Sequence, residues 1–137
     1  MHDNIVLDSC IIAAIFLPET ITGKAIEAAA DHSCVTVDLA FTEVANAAWK
    51  RAVHAGDDPA LVKARLDDSI AFMRETCDVI PAHDLNTPSW DLACSHRITI
   101  YDALFVAASL RCSAPLVTAD TVLAGAVRKT CPVILIE

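Results

Sequence analysis

Apolar residues along this chain fall into short β-branched runs separated by longer stretches with helical spacing. Ile5-Val6-Leu7, Cys34-Val35-Thr36-Val37, Val79-Ile80, Leu116-Val117-Thr118 and Val133-Ile134-Leu135-Ile136 read as short strands. Between them, residues 9–16 form an apolar segment that closes near Pro18, and Glu19 and Thr20 open a second helix to about residue 31, with Ile21, Ala25, Ile26 and Ala29 on one side. Residues 40–54 read as a helix on the spacing of Val44, Ala47, Ala48 and Val53, with Gly56 as its stop. Asp57 or Asp58 caps the next helix, Pro59 sits in its first turn, and Val62, Leu66, Ile70 and Met73 carry its apolar stripe to about residue 75. Thr87-Pro88-Ser89 opens a helix over 90–96, residues 101–112 are apolar on nearly every side and predict a buried helix, and 122–129 predict a last one.

Short apolar strands alternating with helices predict an α/β fold, a parallel sheet covered on both faces. In such sheets the functional cleft lies beyond the carboxyl ends of the strands. Acids cluster at those positions. Asp8 ends the first strand, Glu43 lies early in the helix after the second, Asp102 starts the buried helix, and Asp120 follows the fourth strand. Taken singly, Asp8 and Asp120 read as helix caps, and Glu43 and Asp102 as first-turn acids favoured by the helix dipole. Gathered on one rim they would repel one another, and a divalent cation is the simplest remedy. Mg²⁺ and Mn²⁺ prefer oxygen ligands and retain waters, and such ions activate water for phosphodiester cleavage. Ser9 and Thr118 are placed to orient a carboxylate or a metal-bound water.

The segments that carry these acids are Ile5-Val6-Leu7-Asp8-Ser9, Thr42-Glu43-Val44-Ala45-Asn46, Tyr101-Asp102-Ala103-Leu104-Phe105 and Val117-Thr118-Ala119-Asp120. In this order and spacing they resemble the PIN-domain family, and the overall length resembles its toxin-type, VapC-like members. The resemblance spans nearly the whole chain, from Ile5 to Ile136. It implies one PIN-like domain over 1–137: a three-layer α/β/α fold whose short, mostly parallel central sheet of about five strands is flanked by helices. It implies that Asp8, Glu43, Asp102 and Asp120 surround Mg²⁺ or Mn²⁺ and support hydrolysis of single-stranded or looped RNA. It also implies an antitoxin partner and a homodimer. The further acid or Asn that some members carry past the fourth acid has no counterpart in Thr121, Val122, Leu123 or Ala124.

Composition constrains the rest. The chain has 137 residues, 55% hydrophobic and 20% charged, a globular composition. No apolar run approaches the roughly 18–20 residues that cross a bilayer. Met1-His2-Asp3-Asn4 lacks the basic start of a secretory leader, so a cytoplasmic location is expected. Six scattered cysteines without a CxxC pair read as reduced thiols. Cys94-Ser95-His96 offers no recognised zinc spacing, and Ser9-Cys10 lacks an elbow glycine and a base. The net charge of −8 runs against a general nucleic-acid binder but suits a basic partner segment. Lys50, Arg51, Arg97 and Arg111 are the candidate phosphate contacts, with Lys50 and Arg51 expected beyond the acid rim, further along their helix. The alternatives are a catalytically silent PIN-like binding subunit, and a phosphoryl-accepting receiver or haloacid-dehalogenase-type domain. The second is disfavoured because Asp8-Ser9-Cys10 lacks the second aspartate of the dehalogenase motif.

Overall fold

A computed structural model of the chain describes residues 3–137; Met1 and His2, part of the segment read above as no leader, lie outside the described residues. The elements run β1 (Asn4–Leu7), α1 (Ser9–Phe16), α2 (Thr22–Ala29), β2 (Ser33–Val37), α3 (Leu39–Val53), α4 (Pro59–Glu75), β3 (Asp78–Ile80), a 3₁₀ turn (Ala82–Leu85), α5 (Asn86–His96), α6 (Ile100–Cys112), β4 (Leu116–Thr118), α7 (Thr121–Val127) and β5 (Val133–Leu135). The five strands pair in the order β3-β2-β1-β4-β5, and every pairing is parallel.

Ile5, Val6 and Leu7 point alternately to the two faces of the sheet, and all three are buried. Helices therefore cover both faces, the expected three-layer arrangement. α6 lies against β1 and β2 and carries α5 on its outer side, while α1 packs with α3 and α4. Residues Ala103 to Ser109 of α6 are buried in unbroken succession, which explains why its sequence shows no polar face. No helix among the described residues is long and apolar enough to cross a membrane.

The chain builds outward from β1 through β2 to β3, then returns to lay β4 on the other side of β1. The strand order reverses between β1 and β4, so a crevice opens past their carboxyl ends. Leu7 pairs with Val117 in register, and the Asp8 N–H donates to the Val117 carbonyl at 3.0 Å. Asp8 and Asp120 thereby leave the sheet at the same end, past the carboxyl ends of β1 and β4.

Four details depart from the sequence reading, the first being that α5 begins at Asn86 and not at 90. α2 begins at Thr22 instead of Glu19, because the Thr22 hydroxyl accepts from the Glu19 N–H (2.8 Å) and donates to the Ala14 carbonyl (2.6 Å), holding 19–21 as a turn against α1. Ile26, expected on the buried side, is 49% exposed; the short helix turns Ala25 to the core, and its neighbour stands about 100° around the axis. Val53 is likewise exposed, as the last residue of α3. By contrast, Asp58 caps α4 as expected, accepting from the Ala60 N–H with Pro59 in the first turn.

Candidate active site

Asp8 occupies the N-cap position of α1, yet its side chain makes no cap hydrogen bond. It turns into the sheet edge, 6% exposed, where the Thr118 hydroxyl donates to its Oδ2 at 2.7 Å. Thr118 in turn accepts from the Asp120 N–H at 3.1 Å. Parallel pairing of β1 with β4 brings these residues together across 110 positions of sequence. The Cys10 thiol completes the link: Sγ lies 3.5 Å from Asp8 Oδ2 and accepts from the Ala119 N–H at 3.4 Å. Burial and the neighbouring Asp8 charge push that thiol up to about 12, so it stays protonated and donates to the carboxylate.

Glu43 reaches the same rim from α3. Its Oε1 accepts from the Ser9 hydroxyl at 2.9 Å; the same hydroxyl lies 3.5 Å from Asp8 Oδ1. Its single proton goes to Glu43, the closer partner. Asp102 enters from the first turn of α6, where Thr99 caps the helix by accepting the Asp102 N–H at 3.1 Å. Asp120 is exposed and does cap its helix: Oδ1 accepts from the Val122 and Leu123 N–H groups, both at 3.0 Å.

These acids feel one another. Burial raises Asp8, Glu43 and Asp102 above the ordinary carboxylate range. Charge repulsion adds to it: Asp120 acts on Asp8, Asp8 and Asp102 act on Glu43, and Asp8 and Asp120 act on Asp102. Among the described residues no ion pair engages any of the four. Nor do three His, Cys, Asp or Glu side chains stand close enough to form a ready-made metal cage. The rim is thus an open set of uncompensated oxygen donors. That chemistry fits a hard divalent ion, which keeps several waters and needs few direct carboxylates.

Beside the acids lies a cleft of about 490 Å³, lined by Ser9, Glu43, Asn46, Lys50 and Tyr101 among others. Glu43, Asn46 and Lys50 recur at three- and four-residue steps, one face of α3. Lys50 therefore lines the cleft about two helical turns along α3 from Glu43. The other cationic candidates differ. Arg51 is committed to structure: it donates to the carbonyls of Pro18 (2.6 Å) and Leu17 (3.3 Å) and pairs with Asp57 at 3.3 Å. Arg97 is exposed in a left-handed conformation at the end of α5. Arg111 lies in the last turn of α6, about 13 Å along the axis from Asp102, and does not join the rim. The sequence reading left Asn46, Tyr101 and Cys10 without a role. The spacing of Asn46 and Lys50 from Glu43 was the available signal for the first; for Cys10 there was none.

A family model described as PIN domain matches residues 5–129. Ribonuclease VapC3 of Pyrobaculum aerophilum is 30% identical over 128 residues, which cover 88% of this chain and 92% of that protein. The fold is similar to that of a crystallised protein from Pyrobaculum aerophilum, with a TM-score of 0.71, 20% identity, and coverage of 96% of this chain and 83% of that one. It is also similar to a chain in a toxin–antitoxin complex from Klebsiella pneumoniae, with a TM-score of 0.67, 16% identity and 95% of both chains covered.

Proposed function

This chain belongs to the PIN domain family, and from that membership we propose that it is a metal-dependent endoribonuclease, the toxin of a type II toxin–antitoxin pair. What supports the reading is that Ser9 links Glu43 to Asp8, that Asp8, Glu43 and Asp102 are raised by burial and by charge from one another or from Asp120, and that no ion pair engages any of the four among the described residues. The relative named as a ribonuclease supports the activity, and the neighbour solved as a toxin–antitoxin complex supports the partner. Family membership displaces the receiver and dehalogenase alternatives.

Asp8, Glu43, Asp102 and Asp120 would hold Mg²⁺ or Mn²⁺. Once bound, such an ion lowers the pKa of a water and offsets charge on the phosphate. The chain's own residues supply the rest. Thr118 and Cys10 fix the Asp8 carboxylate in one orientation. Ser9 donates to Oε1 of Glu43 and fixes that carboxylate as Thr118 fixes Asp8. Lys50 meets the substrate phosphates from the cleft wall. A basic antitoxin segment, a homodimer and a cytoplasmic setting complete the proposal, and the net charge of −8 favours such a partner.

The test is cleavage of RNA by the purified protein with Mg²⁺ or Mn²⁺. Asp8→Asn and Asp102→Asn should abolish it while circular dichroism shows the fold intact, and chelation should stop the parent protein. If Asp8→Asn cuts RNA as fast as the parent, the mechanism is wrong. If the parent never cuts RNA, the silent binding subunit takes its place.

A further inference from the structure

Tyr101 has no structural reason to be where it is. It directly precedes Asp102, it opens a helix whose next turns are wholly buried, and it is 61% exposed. It lines the same cleft as Glu43, Asn46 and Lys50. Ala13, Leu39 and Ala47 give that cleft an apolar share of its lining. Its volume of about 490 Å³ lies within the range of small-ligand sites. Lys50 takes part in no ion pair among the described residues.

We propose that this cleft seats one unpaired nucleotide of single-stranded RNA beside the cleaved bond, its base stacked on Tyr101, its edge read by the Asn46 amide and its phosphate met by Lys50. The assignment rests on the nuclease reading and adds the subsite that selects the form of the substrate. An aromatic face in an apolar recess stacks any base, since every base presents a π-face. It reaches only a base that has left its own stack, so unpaired RNA enters and a duplex does not. A carboxamide with two donors and an acceptor can pair with a base edge. A lone lysine gives the phosphate a point charge in an otherwise acidic surrounding.

The test is fluorescence-anisotropy titration of labelled hexa-adenylate RNA and of an abasic oligomer of equal length. It is run in the Asp8→Asn background so that nothing is cut, and repeated in the Asp102→Asn background should the first fold poorly. Tyr101→Ala should weaken hexa-adenylate binding about 5- to 150-fold, the worth of one stacked base. Tyr101→Phe should bind within about twofold of the parent, and the abasic oligomer should bind all three proteins alike. Lys50→Gln should lower the slope of log affinity against log salt by about 0.7, one phosphate contact on a single strand. The assignment is overturned if Tyr101→Ala binds hexa-adenylate as tightly as the Tyr101 protein, or if it weakens the abasic oligomer equally. If the stacking signature appears but the parent cuts no RNA, the nuclease reading fails and the subsite stands. If the parent cuts RNA with kcat/KM unchanged by Tyr101→Ala, the subsite fails and the nuclease reading stands.

Discussion

Thr118→Val removes the hydroxyl that links the site, both its bond to Asp8 and its acceptance of the Asp120 N–H. Valine matches threonine in shape but lacks the hydroxyl that donates to Asp8 Oδ2 at 2.7 Å. Both side chains are buried, so water does not replace the donor. A hydrogen bond to a charged group contributes about 1.5–3 kcal/mol. For 137 residues the unfolding entropy near the midpoint is about 0.29 kcal/mol/K. Where Asp8 is ionised in the folded state, Thr118→Val should therefore lower Tm by about 5–10 °C, and Thr118→Ser, which keeps the hydroxyl, by clearly less. The effect must also depend on pH. Burial raises Asp8 above its ordinary value of 3.8, so the folded state holds the proton more tightly than the unfolded chain does. The associated stability is fully present below that ordinary value and is lost as pH rises through the raised native one. The Thr118 bond opposes this by favouring the charged form, and its removal raises the native value further. The deficit of the variant is thus smallest in acid and reaches full size above the native value. Calorimetric melts of both proteins from pH 4 to pH 8 measure it. A deficit under about 1 °C at every pH, or one of equal size at every pH, would refute the argument.

In metal-free buffer, above the raised native Asp8 value, Asp8→Asn should melt about 2–7 °C above the parent, because it removes a buried charge that Asp120 repels; in acid, where the folded state holds the Asp8 proton, the gain should vanish. A variant that loses activity and also loses stability above the native value would mean that the carboxylate supports the fold instead of straining it. Mn²⁺ at about one hundred times its dissociation constant should stabilise the parent by about 2.7 kcal/mol, roughly 9 °C in Tm. Asp8→Asn should show little of that shift, and an equal shift in both proteins would place the ion elsewhere.

The sheet was legible because its strands are apolar on both faces. Ile5-Val6-Leu7 has no polar alternate, and that pattern forms only where helices cover both sides. The start of α4 was legible because Asp58 and Pro59 act locally. The acids were legible as junction residues, but their roles were not. Asp8 and Asp120 hold equivalent sequence positions, each one step before a helix. Only the pairing of β1 with β4 makes Asp8 a buried acceptor of Thr118 while Asp120 remains an exposed cap. Lys50 and Arg51 adjoin in sequence, yet about 100° of helix rotation sends one to the cleft and the other to the carbonyls of Leu17 and Pro18. Such choices depend on which neighbour a helix meets, and that information lies in distant segments. The α2 start followed from a side-chain bond to Ala14, equally invisible in the local pattern.

The distribution of cations bears on how an acidic chain could accept RNA. Arg51 and Lys63 are paired with Asp57 and Asp67, and Arg111 sits at the far end of α6. Lys50 remains at the cleft, facing Glu43 along the same helix. One lysine does not balance a rim where carboxylates already raise one another's pKa, so a phosphate approaching the metal-free rim meets net repulsion. An ion held by these acids would therefore have a second task besides activating water, that of making the rim attractive to the substrate. Affinity for RNA should then rise with divalent ion before any bond is cut, through the acids and not through a basic face. The apolar recess at Tyr101 does not depend on charge, so stacking and ion-dependent attraction supply separable shares of binding. This separability explains how a site built mainly of acids could still hold a polyanion in one register.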